Sequence, residues 1–275
     1  MERIEHIDAY KTLLRANKQR LGVVDTNCML MTGDMVRYIE EGRLFTETFD
    51  DGMIVRIDEG VRDNIYYYLR PGAQLPCLRR DKCVLIEEMD NRGSRSAYLA
   101  GFEPRLTDAG FALSRLNLQV ERTLSKEHAA SGAEAQLRDS GFSLARPSGG
   151  EVPGDVLALW EAHLDPLDIP QDHLILHAGE SIVNVIDDST GALAATIWWK
   201  HSGRSSECRH IVTSPAYLRR GLAGMLLNLW FDDAACHGVS RLLTWINEAN
   251  VPSLSLFTRY GFAQNGRISR QYLLK

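Results

Sequence analysis

The chain of 275 residues has no CxxC pair, no excess of positive charge and no apolar run near the roughly 20 residues that cross a bilayer. Each absence excludes a class of protein. Its five cysteines, Cys28, Cys77, Cys83, Cys208 and Cys236, are odd in number and scattered, which argues against a paired secreted framework and against a clustered metal site. Reduced thiols fit this usage. A net charge of −5 gives no electrostatic reason for nucleic acid or an anionic membrane as partner. The opening "MERIEHIDAYKTLL" is charged and lacks the apolar core of a signal peptide. The expectation is a cytoplasmic protein with no metal, no nucleic acid and no membrane partner.

What is present is enough apolar residue, 44%, to build the core of one large or two ordinary domains. In the first half, helical spacing is followed by a hairpin over "RLFTETFDDGMIVRIDE", strands at "DNIYYYL" and "KCVLIEEMD", a helix at "SRSAYLAGF" and a strand at "ALSRLNLQVE". The segment "LSKEHAASGAEAQLRDSG" predicts a polar helix, and "ARPSGGEVPG" has the composition of a surface loop. The second half repeats the order of the first: helix "DVLALWEAHLD", hairpin "SIVNVIDDSTGALAATIWWK", strand "SECRHIVTSP", helix, strand "RLLTWINE", helix "SLSLFTRYGF" and strand "RISRQYLL". "YLAGF" ending at Phe102 and "TRYGF" ending at Phe262 strengthen the parallel, although a glycine after a helix is also a common stop.

The chemistry concentrates in "SPAYLRRGLAG", residues 214–224, which runs from a strand into a helix. A helix start presents unpaired backbone N–H groups and the positive end of the helix dipole. Phosphate satisfies both where no side chain blocks it, and Gly221, Ala223 and Gly224 are small, with Arg219 and Arg220 adding charge. The plain alternative is a solvated helix start with two solvated arginines. A P-loop would place lysine and then serine or threonine after the glycines, but Met225 follows Gly224.

The motif does not stand alone, since "NVPSLSLFTRYGF" begins 26 positions after Gly224. The ordered pair resembles the signature of the GCN5-related N-acetyltransferase (GNAT) superfamily. That signature has R/Q-x-x-G-x-G/A opening a helix, then N-x-x-A-x-x-x-Y-x-x-x-GF. Here the first part falls on Leu218, Gly221 and Ala223, the second on Asn250, Ser253, Phe257, Gly261 and Phe262. The resemblance implies an α/β fold of α+β type, in two GNAT-like domains, each a mostly antiparallel twisted sheet flanked by helices. The domains fall at 1–124, degenerate or accessory, and 147–275, catalytic, with a helical linker at 125–146. It implies acetyl-CoA or another acyl-CoA as cofactor and a small-molecule or peptide amine as acceptor. Leu218, Arg219, Arg220, Gly221, Leu222, Ala223 and Gly224 would hold the pyrophosphate. Ile211, Val212 and Thr213 would pair with the pantetheine arm through their backbone, Asn250 would contact that arm, and Phe257 would pack near the thiol.

Phe257 replaces the tyrosine that in many members protonates the departing thiolate, and Tyr260 is the nearest hydroxyl in sequence, at a position that usually packs in the core. The base position of the family falls on Glu207, with Arg209 on the same strand face as the competing partner. His210, expected on the opposite face, and His201 are rivals by chemistry. Of Trp198 and Trp199, one is expected in the core and the other on an acceptor pocket. Cys208 has no activating partner in sequence. An active acyltransferase using direct attack is the reading, with a catalytically impaired CoA-binding regulatory protein as the alternative.

Overall fold

The computed structural model describes residues 1–78, 82–125, 128–147, 150–167, 169, 176 and 178–274. The chain divides into two compact units, Met1–Leu118 with Gly266–Lys275, and Gln119–Asn265. No helix among the described residues is long and apolar enough to cross a membrane.

The first unit runs β1 (Glu2–Arg3), α1 (Ile7–Leu21), β2 (Asp25–Thr26), α2 (Thr32–Glu40), β3 (Leu44–Phe49), β4 (Gly52–Asp58), β5 (Arg62–Leu69), β6 (Cys83–Asn91) and α3 (Ser96–Asp108). β7 (Phe111–Thr123) begins in this unit and ends in the next. Alternating apolar residues on β3 and β4 close the expected hairpin at Asp50 and Asp51, with Phe49 opposite Gly52. Gly52 is required there, because a Cβ would lie 2.6 Å from the Tyr68 carbonyl oxygen. β5 and β6 are parallel neighbours, and the far side of β6 takes the chain's last strand, β13 (Ala263–Leu274), in antiparallel register from Arg267 to Leu273. Tyr272 of that strand is buried in one apolar cluster with Ile65, Tyr67 and Phe102, so the C-terminal residues complete the first unit's core.

Within that core Glu88 has no exposed surface. Burial pushes its carboxyl up to about 7, outweighing the opposing hydrogen bond from Tyr67 and the charge of Arg95, whose Nη2 lies 3.2 Å away. The unfolded chain ionises this group near its ordinary 4.5 and the fold only near 7. The stabilising contribution is therefore complete below pH 4.5 and lost as the pH rises through about 7, amounting to up to about 3 kcal/mol. Urea unfolding of wild type and Glu88→Gln at pH 5 and pH 8 checks this. Wild type should lose stability relative to the variant as the pH rises, and a pH-independent difference would contradict it.

The second unit continues with α4 (Ala133–Asp139), β8 (Phe142–Ala145), α5 (Gly154–His163), β9 (Glu180–Asp187), β10 (Leu193–Ser202), β11 (Ser205–Thr213), α6 (Leu222–Cys236), β12 (Arg241–Asn247) and α7 (Val251–Arg259). Its strands lie in the order β12-β11-β10-β9-β8, antiparallel except for β11 beside β12. Where the sequence suggests a linker at 125–146, Ala133, Leu137 and Phe142 enter the main core, and β8 pairs with β9. Asp232 on α6 accepts hydrogen bonds from the backbone N–H and hydroxyl of Ser131, the latter at 2.6 Å, which ties this segment down. The expected polar helix is correspondingly short, and Lys126 and Glu127 within it lie outside the described residues. α6 is buried on nearly every side, from Leu222 to Ala234, which accounts for its apolar composition.

Candidate functional site

β11 and β12 are paired only from Ser205 opposite Arg241 to Glu207 opposite Leu243, although both strands run on. The Thr244 hydroxyl still donates to the Cys208 carbonyl at 2.9 Å, and beyond that bridge the separation of the strands opens a notch along β11, where among the described residues no other strand pairs that edge. The other edge is held by β10, with Ile197 opposite Ile211, Thr196 opposite Val212 and Ala195 opposite Thr213. Such an edge carries backbone donors and acceptors that an extended ligand can meet. Val212 turns its side chain into the cluster of Trp160 and Ile182, and Ile211 packs on the opposite side against the main core. What these residues offer the notch is backbone.

Beyond β11, Pro215–Tyr217 makes a single 3-10 turn and the chain enters α6 through two left-handed residues, Arg219 at φ 62° and Gly221 at φ 80°. A left-handed arginine costs about 1–3 kcal/mol, and such residues cluster at functional sites, although Arg92 at φ 58° adopts the same conformation in the turn between β6 and α3. No side chain caps α6. Its first turn closes with the Met225 amide on the Gly221 carbonyl at 3.1 Å, and among the described residues nothing accepts from the amides of Leu222, Ala223 or Gly224. By contrast α7 is capped, since Asn250 Oδ1 accepts from the Ser253 amide at 3.1 Å. An uncapped start beneath a left-handed glycine fits a phosphate group.

The expected residues of this loop differ in role. Leu218 is exposed, and its amide reaches the Pro215 carbonyl at 3.4 Å, so it is already partly engaged. Arg220 rests its guanidinium 5.1 Å from the centre of the Tyr217 ring and lines a cavity of ≈ 490 Å³ with Phe142, Asp187 and Ser189. Gly224 is small for a reason other than ligand access. A Cβ there would meet the Tyr260 hydroxyl at 2.1 Å, so the residue admits the Tyr260 side chain against the helix. Phe257 is buried against Phe262, with ring centres 5.0 Å apart, and contributes a wall without a titratable group. Tyr260 also packs on the main core.

Glu207 stands at the root of the notch, opposite Lys200, and its Oε1 pairs with Arg209 Nη1 at 3.2 Å. The register of β11 corrects one expectation. Cys208 faces Trp199 and His210 faces Trp198, so Arg209 is an extra residue, a bulge. Trp198 and Lys200 share a face of β10, which puts His210 on the same face as Glu207 rather than on the opposite one. His210 sits against the edges of two indoles, with its ring centre 5.2 Å from Trp198 and 5.3 Å from Trp160. Those indoles stack on each other, and both of their N–H groups are buried without a partner among the described residues. Trp199 is the core member of its pair and donates to Asp233 at 3.0 Å. Trp198 is the half-buried member, on the Glu207 face. Cys208 is enclosed, and burial together with the Glu207 charge pushes its thiol far up, which makes it inert.

His201 does not join this group. Its Nε2 lies 2.8 Å from Asp233 Oδ2, in the last turns of α6, and His237 Nδ1 lies 2.8 Å from the Asp233 carbonyl oxygen. Burial acts to raise the Asp233 carboxyl, but the His201 and Trp199 hydrogen bonds and the two imidazoles hold it below the usual range. The three side chains offer ligand-type atoms within 4.8 Å of one another, the donor chemistry of a transition-metal site, yet those atoms already bond within the cluster. It serves as a clasp between the end of β10 and the end of α6.

Comparison with known proteins agrees with this geometry. Residues 152–262 match the acetyltransferase (GNAT) family. Along 99% of its length the chain superposes on 97% of a tandem GNAT protein from the clavulanic acid biosynthesis pathway, with a TM-score of 0.60 and 14% identity. A Drosophila protein aligns over 97% of this chain and 95% of its own, with a TM-score of 0.56 and 14% identity. A GCN5-related N-acetyltransferase from Kribbella flavida aligns over 90% and 96%, with a TM-score of 0.52 and 15% identity. At such identities the likeness is one of fold, and it extends over both units. No curated protein matches in sequence.

Proposed function

We propose, from the match of residues 152–262 to the acetyltransferase (GNAT) family, that the second unit transfers an acyl group, acetyl in the simplest case, from acyl-CoA to an amine. The observation that carries the proposal is the notch between β11 and β12, which runs directly to the uncapped start of α6. Acyl-CoA, when bound, supplies the acyl group as a thioester. The amides at 222–224 suit its pyrophosphate, and the free edge of β11 at 211–213 suits its extended pantetheine arm. Asn250, whose carbonyl oxygen is engaged in capping, keeps its amide nitrogen for that arm.

In this reading an amine attacks the thioester carbonyl directly, in a ternary complex. A C–N bond forms, the C–S bond breaks, and CoA departs as thiolate. Glu207 takes the proton that the ammonium must lose, directly or through water. A β11 backbone N–H beside the bulge polarises the carbonyl oxygen. Phe257 offers no proton to the thiolate, which departs unassisted. The half-buried Trp198 and His210 give the acceptor an aromatic wall beside the carboxylate.

The absent hydroxyl at Phe257 and the pairing of Glu207 with Arg209 favour one other reading, a CoA-binding regulatory protein without turnover. CoA thiol release from acetyl-CoA over a panel of small amines, polyamines and peptide N-termini separates the two. Amine-dependent release supports the transferase. Tight CoA binding with no release on any acceptor supports the regulatory protein.

A further inference from the structure

The first unit contains the same kind of parallel pair, and it is closed. β5 and β6 are in register from Arg62 opposite Cys83 to Ile65 opposite Ile86, and then part as β11 and β12 do. Strands that part leave backbone groups that must find partners. Here the chain supplies them itself. β2 lies antiparallel along the freed edge of β5, with Asp25 opposite Leu69 and Thr26 opposite Tyr68. The next residue, Asn27, is 1% exposed and bridges the fork. Its Nδ2 donates to the carbonyls of Ile65 on one strand and Glu87 on the other, both at 3.1 Å, and its Oδ1 accepts from the Tyr67 amide at 2.9 Å. Arg95 donates to the Thr26 carbonyl at 3.1 Å, and Arg105 lies 3.7 Å from Asp25, holding the segment from the α3 side.

A carboxamide carries the same donor and acceptor as the amides of a pantetheine arm. Inserted between parting parallel strands, Asn27 makes the bonds such an arm would make. A second, independent feature agrees. In the second unit a 15-residue helix separates β11 from β12, whereas β5 is joined to β6 by residues 70–82, too few to hold such a helix and with no helix among those described. The first unit thus lacks both the open notch and the anion-binding helix start. We propose that residues 25–27 are an internal occupant of the first unit's cleft, standing in for a ligand, so that each chain takes one acyl-CoA and takes it in the second unit. This rests on the function proposed above.

Calorimetric titration of the full chain with CoA tests it, in wild type and in Ala223→Asp, which places a carboxylate at the α6 start. The expected result is one CoA per wild-type chain and none in the variant, with both proteins folded by circular dichroism. Two equivalents in wild type would show a working site in the first unit, and one retained at unaltered affinity in Ala223→Asp would show that the bound CoA does not use the α6 start; either result overturns the proposal. No binding to wild type would instead remove the acyl-CoA reading of the second unit, and this inference with it.

Discussion

Ala223→Asp should weaken CoA binding by at least about 100-fold while leaving the melting temperature unchanged or slightly raised. The two effects have opposite signs because they act on different partners of one helix start. An aspartate in the first turn of α6 complements the helix dipole and can accept from its free amides, which stabilises the fold by about 0.3–1 kcal/mol. The same carboxylate competes for those amides and repels a pyrophosphate. Two unit charges about 4 Å apart near a protein surface interact by about 4 kcal/mol, and 2.7 kcal/mol already corresponds to about 100-fold in affinity. Ala223 is only half-buried, so the larger side chain can turn outward. Calorimetry beside thermal melting checks the prediction. Unaltered affinity would mean that the helix start is an ordinary solvated one, and a lower melting temperature would mean that its amides have structural partners.

Glu207→Gln should lower kcat by about 100-fold with CoA affinity unchanged, the size expected for loss of a positioned base. Glutamine keeps the shape of the side chain and can still face Arg209, but it cannot take a proton. The variant should recover part of its rate as the pH rises toward the pKa of the acceptor amine, because the amine then arrives deprotonated. Steady-state rates against pH give the answer. A variant as fast as wild type at neutral pH would reduce Glu207 to a structural partner of Arg209 and turn attention to His210, which shares its face of the sheet.

The order of strands and helices was legible because alternation and helical spacing are local properties, and the α6 loop was legible because its glycines lie together in sequence. Other features depend on contacts between distant residues. The bulge at Arg209 exists only relative to β10, and it alone moves His210 to the Glu207 face. Asn27 reads as an ordinary residue between two helices, and its partners are Ile65, Tyr67 and Glu87. Gly224 looked like an opening for a ligand, but the side chain it admits is Tyr260, far along the chain. β8 was missed because its four residues are too few to show a period, and β9 is what makes them a strand.

The central claim is that the second unit holds acyl-CoA with its anion on α6 and its arm in the notch. A crystal structure with CoA bound tests it most directly. The expected result has the pyrophosphate on the amides of 222–224, the pantetheine along β11 at 211–213, and the sulfur within reach of Glu207, directly or through one water. A pyrophosphate bound elsewhere, or a sulfur with neither Glu207 nor any other basic group in reach, would contradict it.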